Sequence, residues 1–375
     1  MRAHATSFVA RGEGPGRVAR AAAEASRLVQ RPSGGIVFVS GDLLSDIGGL
    51  AERLESALPG VPLLVVGGHG VLSERGEIER EAAACGLIWQ AGECRSLVVN
   101  RDGDPTSPLS AALLPHAART SSALVFLAPR ASQSHTIEPL AALEFGSLCG
   151  AGTAGDKQVV AVMPGRPPEV GNAGALVLSK LHGPLVVSSP ACRLLMPLAP
   201  ISRVRGSMVL EIDGQPALQL LTQSAKNLRG QPLVLVALAG AGEPDEERPE
   251  LLVRGIQGVD PARQGIIVAE EIRVGMRLAF AVRDAPSARA DLEGALQRVA
   301  RETAGALPAF GLYLSCAGRG ASLYGSRDVD VRLLKARFPE VPFAGMHSSF
   351  EIAPHDGTPM LQLYTGVLAM FTAPS

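Results

Sequence analysis

Apolar and polar positions fall in blocks along this chain, and the first blocks predict an α/β start. Residues 36–40 read IVFVS and residues 63–66 read LLVV; runs this short and this apolar belong to strands buried on both faces of a sheet. Between them Leu50, Leu54 and Leu58 recur at helical spacing over residues 43–58, and Pro59-Gly60 stops the run. Strand, helix and strand within about 30 residues is a βαβ signal. Upstream, Val18, Ala22, Ala25, Leu28 and Val29 share one face of a helix over 16–31, which Pro32-Ser33-Gly34-Gly35 ends.

Further apolar runs predict strands at 86–91, 95–100, 123–128, 157–163, 174–179, 184–189 and 207–212, with a helix from Pro216 to Leu228. Residues 164–173 and 241–250, broken by prolines, read as surface loops. Beyond Gly230 the pattern predicts strands at 231–239, 252–257, 265–270, 276–282, 310–315, 341–344 and 361–371, and helices at 286–304 and 326–337. No repeat of fixed period stands out. The expected fold is α/β: two lobes of mixed β-sheet with helices packed outside. Residues 1–34 form a lead-in, 35–229 the first domain and 230–375 the second.

Composition narrows the function. At 375 residues with 46 % hydrophobic positions, the chain can build its core without metals or disulfides as staples. A formal net charge of -1 gives no electrostatic reason to expect nucleic acid or an anionic membrane as partner. No apolar stretch approaches the roughly 18 to 20 residues of a membrane helix. The five cysteines are scattered, with no C-x-x-C pair, which suits a reducing compartment and predicts a soluble, cytoplasmic protein.

Several segments together resemble the FIST family of bacterial sensory domains, which has an F-box relative. The nearest is Cys316-Ala317-Gly318-Arg319-Gly320, similar to a cysteine-x-glycine-arginine-glycine element that follows a strand. Residues 251–292 resemble the family's strand series and the Arg-Asp start of a helix, here Arg283-Asp284. VPFAGMHSSFEIAP (341–354) is similar to an element that usually ends Gly-Glu-Ile-Gly-Pro, with Phe350 and Ala353 at its glycine positions. VGGHGVLSERGEIE (66–79) resembles a segment that more often begins Gly-Cys-Ser or Gly-Cys-Thr, so Gly68-His69 is a departure. EIDGQPAL (211–218) and Cys192-Arg193 have counterparts too, and the likeness runs from about residue 35 to 371.

Candidate site residues follow from these segments. Arg319 lies between glycines that expose backbone N–H groups, and its guanidinium forks onto a ligand carboxylate or phosphate, or onto a structural acid such as Asp328 or Asp330. Cys316, beside it, is a reactive thiol if the setting is electropositive and a packed small hydrophobe otherwise. Gly318 and Gly320 complete the turn. Glu351 is suited to a ligand ammonium, or else partners Arg283 or caps the backbone. Asp284 ahead of Pro286 reads as a helix N-cap. Arg193 is a further ligand candidate. His69 and His347 stand in motif loops, and neither has a second metal ligand at ligand spacing in the sequence, so no metal is expected.

No GxSxG, HExxH or P-loop pattern occurs, so no enzyme activity is expected. The resemblance implies a sensory protein that binds a small molecule, an amino acid or other small anionic or zwitterionic ligand, and acts through a separate signalling protein or by forming a homo-oligomer. It carries no predicted cofactor. Two alternatives are a haem-based nitric-oxide sensor using His69 or His347, and a thiol enzyme or redox sensor using Cys316.

Overall fold

The computed structural model describes residues 4–12, 14–131, 137–229, 232–241, 250–303 and 308–372. The loop expected at 241–250, apart from its two end residues, lies outside the described residues, as does the expected boundary at Gly230.

Three units of like topology make up most of the fold. The first is β1 (Ala5–Arg11), α1 (Pro15–Ser26), β2 (Gly34–Ser40), α2 (Ile47–Ala57), β3 (Leu63–Gly67), the hairpin β4 (Gly70–Ser73) and β5 (Gly76–Glu79), and β6 (Ala83–Trp89). The second repeats the order as β7 (Glu93–Val99), α3 (Thr106–Leu113), β8 (Ser122–Leu127), α4 (Glu138–Ala141), β9 (Ser147–Gly152), the hairpin β10 (Val159–Val162) and β11 (Glu169–Gly171), and β12 (Ala173–Ser179).

The third unit opens with β13 (Leu185–Pro190) and is then interrupted by an insertion. That insertion holds β14 (Cys192–Leu194), β15 (Ala199–Arg205), β16 (Met208–Ile212), β17 (Gln215–Pro216), α5 (Ala217–Ala225), β18 (Val234–Ala239), β19 (Leu252–Asp260), β20 (Gly265–Val268) and β21 (Arg277–Arg283). The unit resumes with α6 (Ala285–Glu302), β22 (Pro308–Cys316), α7 (Gly320–Tyr324), α8 (Val329–Arg337), β23 (Phe343–Ser348), the hairpin β24 (Glu351–His355) and β25 (Thr358–Gln362), and β26 (Thr365–Thr372).

Each unit contributes four strands to one sheet, its second and third strands parallel, and lends its hairpin to another unit. The strand orders are β1-β6-β2-β3-β10-β11, β7-β12-β8-β9-β24-β25 and β13-β26-β22-β23-β4-β5, so the exchange closes in a ring. The three sheets turn one face to a shared core, where Ile36 and Phe38 meet Leu124, Phe126, Leu312 and Leu314. Phe310 is stacked between Trp89 at 5.0 Å and Phe371 at 4.6 Å. Helices cover the outer faces: α1 and α2 the first sheet, α3 and α4 the second, α6 and α8 the third. This is a triangular prism of mixed sheets with helices outside, an α/β fold as expected.

The elements form for local reasons. Pro15 opens α1, which buries Val18, Ala22 and Ala25. Leu28 and Val29, expected on the same helix, leave it after Ser26 through turn hydrogen bonds, and Leu28 is exposed. The Asp46 carboxylate accepts the Gly49 N–H and starts α2, whose Leu50 and Leu54 are fully buried. The insertion folds into a closed antiparallel barrel, β21-β15-β16-β20-β19-β18 and back to β21, around Val209, Phe280, Leu278 and Ile266. The expected division at residue 229 runs through both prism and barrel, because each draws strands from both sides of it.

Candidate functional site

The segments singled out in the sequence meet at one end of the prism, at the carboxyl ends of the parallel pairs. The His69 N–H donates to the His347 carbonyl, the Ala154 N–H to Gly67 and the Ser349 N–H to Gly152, which ties the three units together in a ring. The His69 side chain, exposed at this end, shares a 3.1 Å hydrogen bond between its Nε2 and Ser349 Oγ, and desolvation holds the imidazole below its ordinary pKa. The carboxyl ends of parallel strands are where open α/β sheets gather ligand sites.

Strand alternation then sends neighbouring residues to opposite faces. Leu314 of β22 and Met346 of β23 face the central core, so Cys316 and Ser348, two residues on, share that inner side. His347 and Tyr313 face outward, beneath the helices.

Arg319 goes outward and is fully buried. Its Nε donates to Asp330 at 2.8 Å, Nη1 to the Ser189 carbonyl at 2.7 Å, and Nη2 to Ser189 Oγ at 3.2 Å and the Ala288 carbonyl at 3.3 Å. Asp330 also accepts from Tyr313 at 2.7 Å and Tyr324 at 2.6 Å. Burial would raise the Asp330 carboxyl, but the Arg319 charge and these hydrogen bonds hold it below the ordinary carboxylate range. This is the structural acid named as the alternative partner, and its pairing directs the guanidinium into the protein.

On the inner side a polar cluster lies where the prism meets the barrel. Glu351 stands directly opposite Gln362 on the β24–β25 hairpin and is fully buried. Ser348 Oγ is 2.6 Å from Glu351 Oε1 and 3.1 Å from the Ser315 carbonyl. The Ser348 hydroxyl donates to Glu351 Oε1 in the shorter of the two contacts. Burial pushes the Glu351 carboxyl up to about 8 against the Ser348 hydrogen bond, the nearby Thr365 N–H and the charges of Arg319 and Arg283. Arg283, at the end of β21, donates from Nη2 to the Gly318 carbonyl at 3.1 Å and lies 5.3 Å from the Tyr364 ring centroid. Glu351 Oε2, Gln362 Oε1 and Arg283 Nε are buried without a hydrogen-bond partner among the described residues. Cys316 is partly exposed beside them; burial and the neighbouring Glu351 carboxyl raise its thiol above the ordinary value.

The raised Glu351 carboxyl has a measurable consequence. Because its folded pKa is raised from 4.5 to about 8, its contribution to stability is full below 4.5 and falls as pH rises through 8. The slope is about 1.4 kcal/mol per pH unit, so about 2 kcal/mol should be lost between roughly pH 6 and 7.5 beyond the loss in Glu351→Gln. Urea denaturation of both proteins at the two pH values checks this; parallel profiles would show that Glu351 does not titrate in that window.

The remaining candidates separate. Arg193 on β14 is half exposed and pairs with Asp284 at 2.7 Å. Asp284 caps α6 by accepting the Ser287 N–H at 2.9 Å, as expected of an Asp before that helix. Gly318 supplies the carbonyl that Arg283 grips, and Gly320 lets α7 approach Glu79, since a Cβ there would collide with the carboxylate.

His347 is 3 % exposed and neither ring nitrogen has a hydrogen-bond partner among the described residues. Burial holds its imidazole below the ordinary value. Folding brings Glu77 and Glu79 to it, two acids about 270 positions upstream by the numbering. The pattern Gly76-Glu77-Ile78-Glu79 was the signal that could have been read: alternation on a strand puts both carboxylates on one face. Burial and the nearby Asp330 push the Glu77 carboxyl up to about 7. Arg283 was marked only as the start of a helix and a partner for Glu351, and Gln362 had no mark in the sequence.

Two clefts lie apart from these clusters. One of about 140 Å³ sits at the strand ends of the second unit, lined by Arg101, Arg130, Asp156 and Lys157. The other, about 180 Å³, lies between the barrel and the tip of the β24–β25 hairpin, beside Glu270, Met276 and His355.

An uncharacterized protein of Mycobacterium tuberculosis is 31 % identical over 197 residues, covering 49 % of this chain and 50 % of the relative. An uncharacterized protein of Mycobacterium bovis is 29 % identical over 197 residues, with the same coverage of each chain. The chain thus spans about half the length of these curated relatives. Residues 34–215 match the FIST N domain and residues 215–354 match the FIST C domain. Those two matches join the first unit, the second, the barrel and the clustered strand ends in one continuous assignment, and the chain belongs to the FIST family.

Proposed function

We propose that this protein is a small-ligand sensory element, and that its ligand is an amino acid or another small anionic or zwitterionic molecule held where the prism meets the barrel. The observation that carries the reading is the set of unpaired buried polar atoms there: the donor Arg283 Nε and the acceptors Glu351 Oε2 and Gln362 Oε1. Leaving such groups without partners is costly, and a polar ligand with an acid at one end and an ammonium at the other would satisfy them. In this reading Arg283, not Arg319, takes the ligand acid, and Glu351 gives up its proton to meet the ammonium. FIST domains are associated with sensory signal transduction, which favours a sensor over a catalyst. A thiol raised by burial is a poor nucleophile at neutral pH, so Cys316 supports binding better than redox chemistry. The output passes to a separate signalling protein. The five cysteines are all unpaired, which supports a reducing, cytoplasmic setting.

Thermal-shift screening of amino acids and organic acids, followed by calorimetry, tests the proposal. Arg283→Lys should weaken a binding compound by about tenfold or more, since lysine keeps the charge but loses the fork. Glu351→Gln should weaken only compounds with an ammonium, and Arg193→Ala should change nothing. A screen without a single stabilising compound, or equal affinity in all three variants, overturns it.

A further inference from the structure

We propose that Glu77, Glu79 and His347 form a binding site for a divalent first-row transition-metal ion, zinc being the natural probe. This goes beyond the ligand reading and does not depend on it, because the three residues lie on the outer side of the third sheet. One ligand atom from each comes within 4.8 Å of the others. Ligands opposite one another about an ion at roughly 2.1 Å span about 4.2 Å, so binding draws the three slightly inward.

The geometry is built rather than incidental. In the sheet, Gly70 pairs with His347 on one side and with Glu79 on the other. A Cβ at Gly70 would stand 2.9 Å from His347 Cδ2, so the missing side chain opens the way from imidazole to carboxylate. Glu79 is oriented by the Ala321 N–H at 2.9 Å, and Glu77 Oε1 by the Val331 N–H at 3.4 Å. Such outer contacts aim a ligand while leaving its second oxygen free. Glu77 is 5 % exposed and its Oε2 is unpartnered. His347, also buried, leaves both ring nitrogens unpartnered, with the Cys316 carbonyl near the ring but outside hydrogen-bond geometry. A buried imidazole with no hydrogen bond, beside two carboxylates that pair with no cation among the described residues, is what an ion would complete. The Arg319 charge is already taken by Asp330. One imidazole and two carboxylates suit zinc, manganese, iron or cobalt better than thiolate-seeking copper(I).

The ion would tie the borrowed hairpin β4–β5 to β23 and to the chain around α7, closing the ring of exchanged hairpins. Tag-free protein, stripped with chelator and then dialysed, is titrated with zinc, manganese and cobalt by calorimetry, and thermal unfolding is followed with and without each ion. We expect one equivalent to bind and to raise Tm, and Glu79→Gln to weaken binding by about tenfold or more. Glu81→Gln, an exposed acid nearby that pairs with Arg327, should bind as the wild type does. If Glu79→Gln fails to fold, His347→Asn gives the same reading. No ion binding more tightly than about 100 μM, or an affinity unchanged in Glu79→Gln or His347→Asn, overturns the site.

Discussion

Severed after residue 229, neither half of this chain should fold. The third sheet takes β13, β4 and β5 from the first half and β26, β22 and β23 from the second. β13 and β26 alone share six paired positions, from Leu185–Met370 to Pro190–Thr365. The second sheet in turn loses β24 and β25, and the barrel is cut between β16 and β18, whose strands close it through β20 and β21. Each half would expose unpaired edges of buried strands, such as SLCGAG at Ser147–Gly152, which loses β24, and FAGMHS at Phe343–Ser348, which loses β4, and this favours aggregation over folding. Expressed separately, 1–229 and 230–375 should be insoluble or lack a cooperative melt, while co-expression should recover some folded complex. Two soluble fragments, each melting cooperatively, would refute the interlocked architecture.

Much of this architecture was legible where burial is uniform. IVFVS and LLVV appear as β2 and β3, and the strand expected at 123–128 as most of β8, because strands covered on both faces need apolar side chains at every position. The short hairpins were not legible: Gly70–Ser73 and Gly76–Glu79 are four residues each, and what makes them strands is their edge pairing onto a sheet from another unit. β1 carries Ala5, Ser7 and Arg11 and was hidden by its mixed composition. The three-unit plan leaves no sequence repeat because the units share topology without a fixed period, and the barrel inserted after β13 separates like elements of the third unit.

The site was legible in position more than in direction. Cys316, Gly318, Gly320, His347 and Glu351 all come to the strand ends of the third unit, as a motif loop after a buried strand suggests. Which way each side chain turns depends on strand parity and on partners far away in sequence. Arg319 meets Ser189 and Ala288 from other elements, and Glu351 meets Gln362 and Arg283. His347 lacked ligand neighbours in its own segment, and acquires Glu77 and Glu79 only through the exchanged hairpin.

Arg319→Met should be the most damaging single substitution proposed for this chain. It leaves Asp330, 3 % exposed, as a buried carboxylate whose cation has gone. The Tyr313 and Tyr324 hydroxyls remain, but hydroxyl hydrogen bonds replace only part of a lost ion pair. Removing one partner of a buried pair costs about 3–5 kcal/mol, and the Ser189 and Ala288 carbonyls lose their donors as well. At roughly 2–4 °C per kcal/mol, Tm should fall by about 10 °C. Arg319→Lys should fall less far, since an ammonium reaches Asp330 but cannot also span Ser189 and Ala288. Arg319→Met combined with Asp330→Asn should recover part of the loss, because the uncompensated charge disappears. Thermal and urea unfolding of the three variants measure these differences. A Tm for Arg319→Met within about 2 °C of the wild type would mean that the ion pair carries little of the fold, and would return Arg319 to the search for a ligand anchor.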